Sequence, residues 1–196
     1  MGLGSSKSTF PALQAVAKCE TDKFMGTWFV IGVKPTYFEK TCSNAVEIYT
    51  RLPSTKSNDI DINFTYNKAE PITSPVKSLP QKGWLKGDNK DDTGDWVVSP
   101  FRPIKMPYTI IELDDVSYDW AVIGYPSREY CWILGRKPTM SEETYKDLIS
   151  RLETKHQYDL DGLRKVPQVW TKAEREKRGL TEKDIPDEFL TKEELN

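Results

Sequence analysis

Gly26-Thr27-Trp28-Phe29-Val30-Ile31-Gly32-Val33 is a run of β-branched and aromatic residues entered through a glycine. Such side chains fit a pleated, half-buried surface better than a helix. The run 27–33 is followed by seven others of the same texture, at 45–51, 60–67, 81–86, 95–100, 108–113, 117–124 and 130–135. Pro, Gly, Asn, Asp and Ser separate them, as turn residues separate strands. No helical periodicity intervenes to carry a parallel crossover. Eight evenly spaced strands therefore predict an antiparallel barrel or sandwich.

Beyond the last run the period changes. Tyr145, Leu148, Ile149 and Leu152 fall at i, i+3, i+4 and i+7, one apolar stripe on an otherwise charged segment. Thr139-Met140-Ser141-Glu142 precedes it with the form of a capping box. This helix is expected to lie on the outside of the sheet, followed by a short extended piece, Val166-Pro167-Gln168-Val169-Trp170. Residues 1–22 read as an N-terminal arm, with a short helical turn at Phe10 to Ala17. Residues 23–170 form the barrel with its helix. Residues 171–196 form a charged C-terminal tail. The tail holds six basic and eight acidic residues and reads either as a solvated segment or as a strap that docks Ile185 and Phe189.

Composition narrows the function. Net charge is −2, which speaks against a nucleic-acid binder. One histidine, His156, and three scattered cysteines, Cys19, Cys42 and Cys131, give no metal motif and no disulfide framework. No cofactor or metal is expected, and a reducing, cytoplasmic setting is the simpler reading of the cysteines. No run is apolar enough to span a membrane, and no secretory signal is legible. Met1-Gly2-Leu3-Gly4-Ser5-Ser6 fits the pattern for acylation at Gly2, which would anchor the chain peripherally; a plain flexible terminus reads the same way.

Gly26-Thr27-Trp28 at the first of eight strands, with a helix after the eighth, resembles the lipocalin family. Trp132-Ile133-Leu134-Gly135-Arg136 with Pro138 resembles the corresponding segment of the subgroup that holds apolipoprotein D, the bacterial lipocalin Blc and the plant temperature-induced lipocalins. Phe38-Glu39, Ile62-Asn63, Tyr66-Asn67, Ser99-Pro100-Phe101 and the Asp114 position fit the same subgroup. The resemblance implies an all-β fold: an eight-stranded antiparallel up-and-down barrel of the calycin type, with one C-terminal α-helix packed outside. It further implies that Trp28 plugs the closed end and that Arg136 packs across its ring.

The family's inward positions, combined with strand alternation, place Val30, Gly32, Tyr49, Asn63, Thr65, Asn67, Tyr130, Trp132 and Leu134 inside, with Cys131 outside under the helix. Asn63 is expected to meet the Trp132 indole. The subgroup carries charge where this chain has Thr65 and Asn67, and no inward acid is legible. Such a lining either fills the barrel or surrounds a cavity for one elongated apolar molecule with a polar head, such as a fatty acid, lysophospholipid, sterol, retinoid or carotenoid. The loops Lys34 to Lys40 and Phe101 to Met106 combine aromatic and basic residues near the open end, which suits a lipid surface or ordinary loop packing. The Cys partner that the subgroup offers to Cys42 is absent, so three free thiols are expected. His156 is expected outside the barrel and exposed to solvent. The expected protein is a carrier of a small hydrophobic ligand, with roles in lipid transport, membrane maintenance or stress protection. The alternative is a lipocalin-fold enzyme acting on an oxidised lipid or carotenoid.

Overall fold

A computed structural model describes residues 10–191 apart from residue 102. Its strands are β1 (Gly26–Lys34), β2 (Ser43–Arg51), β3 (Ile60–Asn67), β4 (Val76–Leu85), β5 (Asp95–Ser99), β6 (Met106–Leu113), β7 (Trp120–Gly124), β8 (Cys131–Gly135) and β9 (Arg164–Lys165). Neighbours in sequence pair antiparallel from β1 to β8, and β8 returns to β1, so the first eight strands close a barrel. Closure removes most of the free sheet edge along the barrel wall.

The closure has one gap. β1 pairs with β2 only over Gly26 to Phe29. Beyond a bulge at Val30/Gly32, β9 takes the place of β2 and pairs with Gly32 and Val33. Gln168 stitches the seam, its Nε2 donating to the carbonyls of Val30 and Ala45 at 2.9 and 3.1 Å. The bulge also corrects the expected alternation. Val33 faces the interior, whereas Gly32 faces the outer helix, where an added Cβ would lie 3.0 Å from the Tyr145 ring.

β4 begins five residues before the sequence suggested. Its first half, Val76 to Gln81, mixes polar and apolar residues and pairs with β3 alone, because β5 reaches only as far as Lys82. Pro80 sits on that unpaired stretch, where its missing N–H costs nothing on the open side. Between β6 and β7, Asp114 accepts from the amides of Val116, Ser117 and Asp119 and so shapes the turn. The N-terminal arm is extended rather than helical over residues 10–18; the Val16 amide donates to the Ile110 carbonyl at 2.9 Å. One turn of helix follows, α1 (Thr21–Phe24).

The outer helix is α2 (Glu142–Thr154). Its N-cap is Ser141, which accepts from the Thr144 amide at 3.0 Å, two residues later than the box read from sequence. Tyr145, Leu148 and Leu152 bury against Phe29, Ile31, Val122, Cys131 and Ile133 on the barrel's outer face. Each such leucine stabilises the fold by about 1.5–3 kcal/mol.

The C-terminal residues wrap the same side of the barrel. Asn44, in the left-handed region at φ 44°, clamps them: its amide donates to Pro71 and Val169 carbonyls and its oxygen accepts from the Val169 amide at 2.7 Å. Trp170, Leu180 and Ile185 are buried, and α3 (Lys172–Lys177) carries Glu174 into a buried ion pair with Arg178 at 2.7 Å. His156 lies outside the barrel but is not exposed. It is 8% accessible, with Nε2 2.7 Å from Glu112 Oε1. Its backbone carbonyl accepts from Arg128 Nε at 3.1 Å, and burial holds its imidazole below the ordinary histidine range although Glu112 pulls the other way.

Candidate ligand site

The barrel interior divides in two. At the closed end it is packed solid. Phe24, Trp28, Tyr49 and Trp96 form a cluster of rings at centroid distances of 4.8–6.2 Å. Arg136 seals this end from outside. Its guanidinium lies 3.8 Å from the centre of the Trp28 ring and donates to the carbonyls of Lys23, Met25, Thr27 and Tyr118. Burial pushes its pKa down to about 10.

Towards the other end a cavity of about 240 Å³ opens. β3 and β4 contribute Phe64, Tyr66 and Leu79, β6 contributes Met106 and Tyr108, and β8 contributes Trp132. Two loops frame the mouth. Phe38, Phe101 and Ile104 line the cavity and are also exposed, while Tyr37 beside them is 78% accessible. Lys40 sits 5.5 Å over the Tyr37 ring, and Lys105 4.3 Å over Trp84.

Two carboxylates face this apolar space, where the sequence had suggested none. Glu39 enters from the short turn Tyr37–Glu39. Both of its oxygens are committed, one to the Trp132 indole at 2.8 Å and the other to the Thr36 amide and hydroxyl. Glu47 enters from β2, on the boundary between the packed half and the cavity. Tyr49 donates its hydroxyl to Glu47 Oε2, and the Tyr108 hydroxyl lies 2.6 Å from that of Tyr49. Because Tyr49 spends its proton on Glu47, Tyr108 is the donor of the second bond. Burial raises Glu47 to about 7 and lifts both tyrosines well above their ordinary values.

Tyr130 and Trp132 are thus the expected residues that line the cavity. Val30, Tyr49 and Leu134 are interior but belong to the packed region, away from the open space. Asn63, Thr65 and Asn67 lie on the outside, so the alternation on β3 is the reverse of that expected. Ile60, Ile62 and Phe64 are the inward set because they bring apolar area to the core. Asn63 is exposed and accepts from Ser78, and the Trp132 indole meets Glu39 instead. Asn67 accepts from Arg178 of the C-terminal wrap and donates to the Ser74 carbonyl. Gly2 lies outside the described residues. The apolar beat of Ile60-Asp61-Ile62-Asn63-Phe64 carried the correct β3 parity. Glu47, two residues from an inward Tyr49, was likewise legible as inward.

Cys19, Cys42 and Cys131 are free and buried, with burial raising their thiols to about 12, 11 and 12. Cys131 packs under α2, away from the cavity. Among the described residues no group of three or more His, Cys, Asp or Glu side chains is arranged to hold a metal, and no helix is long and apolar enough to cross a membrane.

A closed eight-stranded antiparallel barrel with a mostly apolar interior cavity and a main helix packed on its outside is an architecture that in other proteins encloses one small ligand. Residues 19–168 match the Lipocalin-like domain family model, and the chain belongs to that family. It is 31% identical over 175 residues to temperature-induced lipocalin-1 of Arabidopsis thaliana, covering 83% of this chain and 86% of the relative. To the outer membrane lipoprotein Blc of Citrobacter freundii it is 26% identical, covering 86% and 87%. Among solved structures it resembles insecticyanin of the tobacco hornworm Manduca sexta, with a TM-score of 0.60 at 16% identity over 83% of this chain and 87% of that one. Lobster apocrustacyanin A1 gives a TM-score of 0.57 at 11% identity, covering 76% and 79%.

Proposed function

We propose that this protein binds and carries one slender hydrophobic molecule bearing a single polar group, and exchanges it at a lipid surface. The observation that carries the reading is the apolar cavity whose mouth is rimmed by exposed Tyr37, Phe38, Phe101 and Ile104. Exposed apolar side chains clustered around one opening mark a site of docking, where single scattered ones do not. Lys40 and Lys105 on the same loops supply the positive charge that an anionic leaflet attracts. A volume of about 240 Å³ lies at the small end of ligand pockets and suits a single chain rather than a two-chained lipid. The names of the relatives, a temperature-induced lipocalin and outer membrane lipoproteins, support a role in membrane maintenance under stress. An acyl group at Gly2 would add a weak, reversible anchor on the cytoplasmic side.

Native mass spectrometry of protein taken from its own host reports both parts together. A bound lipid and a 14-carbon acyl group on Gly2 are the expected result. Empty protein with an unmodified N-terminus would remove both.

A second reading has one observation in its favour. Glu47 is a carboxyl inside the cavity held near neutrality, the property of a general acid or base. An enzyme of this kind would isomerise or open an oxidised lipid, and would show turnover that Glu47→Gln abolishes. Binding without turnover of such lipids leaves the carrier reading standing.

A further inference from the structure

The polar groups inside the cavity differ in what they still have to offer. Glu39 is used up by Trp132 and Thr36. Tyr49 and Tyr108 each donate their one proton along the chain that ends on Glu47 Oε2. The other oxygen of Glu47 has no hydrogen-bond partner among the described residues; the residue is 7% accessible and lines the cavity. That oxygen is open to the cavity rather than sealed, so a ligand that brings a donor replaces water on it inside a mostly apolar enclosure.

Building on the carrier reading, we infer that the inner end of the cavity is a hydrogen-bond site for a ligand whose buried end carries a hydroxyl or amino group, with Glu47 as the acceptor and Tyr49 and Tyr108 fixing its position. The orientation follows from the surroundings. Glu47 is approached by Tyr49 on its own strand, Tyr108 from β6 across the barrel and Glu39 from the mouth turn. Glu39 and Glu47 are the charged residues among the described lining. The field at the inner end is therefore negative. It repels a ligand carboxylate inserted head first. A fatty acid inserted tail first would press its methyl end on Glu47 and leave the free oxygen without a partner. An alcohol or an ammonium satisfies that oxygen directly, and an ammonium adds charge attraction.

The preference is a function of the charge on Glu47. Above neutrality the carboxylate favours donors and rejects acids. Below neutrality the protonated carboxyl becomes a donor itself and the rejection of acids weakens.

The test is a competition. Delipidated full-length protein is incubated with an equimolar mixture of tetradecanol, tetradecylamine and tetradecanoic acid, passed through gel filtration, and the retained amphiphiles are quantified by mass spectrometry. At pH 8 the alcohol and the amine together should exceed the acid by about tenfold. At pH 6 the gap should narrow, and in Glu47→Gln the amine should lose its advantage at both pH values. Equal or greater retention of the acid at pH 8, or an unchanged preference in Glu47→Gln, would overturn the inference. Should Glu47→Gln fail to fold, the change in the wild-type ratio between pH 8 and pH 6 decides alone; a constant ratio overturns the inference. Retention of none of the three is a separate outcome, since it removes the carrier reading itself.

Discussion

Arg136 covers the Trp28 ring at 3.8 Å from its centre while its guanidinium donates to four backbone carbonyls around the closed end. The contact ties three pieces of chain together: α1 and the start of β1, the turn before β7, and the end of β8. Arg136→Ala removes the ring contact and leaves those carbonyls without donors in a largely buried place. The expected loss of stability is about 2–4 kcal/mol by urea denaturation. Arg136→Lys keeps the charge but not the planar fork and should recover less than half of it. A loss under about 0.5 kcal/mol for Arg136→Ala would show that the closed end is held by the Trp28 packing alone.

Glu47 makes stability depend on pH in a stated direction. Its folded-state pKa of about 7 stands above the ordinary 4.5, because burial disfavours the charged form. The native state therefore holds the proton more tightly than the unfolded chain. The stability it contributes is complete below about pH 4.5 and is lost as the pH rises through about 7, by roughly 3 kcal/mol in all. Glu47→Gln carries no such term. Its stability relative to wild type should therefore improve by roughly 2–3 kcal/mol between pH 4 and pH 8, measured on ligand-free protein by denaturant titration at each pH. A constant difference across that range would mean that water reaches the carboxylate freely.

The barrel was legible because its signals are local and redundant: alternating apolar runs, turn residues between them, and the Gly26-Thr27-Trp28 and Trp132 to Arg136 segments that resemble a known family. Which residues share the cavity was less so, for two physical reasons. A parity taken from resemblance on β3 was off by one, which sends Asn63, Thr65 and Asn67 to the outside in a single step. The bulge in β1 likewise reverses the face of Gly32 and Val33. The depth at which packing stops and open space begins depends on ring contacts among Phe24, Tyr49, Trp96 and Tyr108, which lie far apart in the chain. Burial of His156 and of the C-terminal residues depends equally on long-range packing that composition does not report.

The C-terminal wrap is stabilising structure rather than an appendage. Glu174 and Arg178 are both buried, paired at 2.7 Å, with Arg178 also donating to Asn67 on β3 and lying 4.8 Å from the Trp170 ring centre. Removing one partner strands the other in a poorly solvated place. Arg178→Ala should cost about 3–5 kcal/mol, and Ile185→Ala about 2–5 kcal/mol through the cavity it leaves. Both should appear as lower urea midpoints of a single cooperative transition. A separate early transition for the wrap, with the barrel midpoint unchanged, would show instead that it folds on its own.

The mouth makes the opposite prediction, large for lipid contact and small for stability. Phe38 is 61% exposed and Phe101 47%, so little core packing is lost when either is replaced. Phe38→Glu with Phe101→Glu should leave the unfolding free energy from urea denaturation within about 0.5 kcal/mol of wild type. The same pair removes two aromatic side chains that would enter the interface, each stabilising insertion by up to about 1.5–3 kcal/mol, and adds charge that an anionic leaflet repels. Sedimentation with vesicles of phosphatidylcholine and phosphatidylserine should therefore show affinity reduced by tenfold or more. High salt should weaken wild-type binding through Lys40 and Lys105 without abolishing it, because the aromatic contribution is not screened. Wild-type levels of sedimentation by the double variant would place the docking surface elsewhere on the barrel.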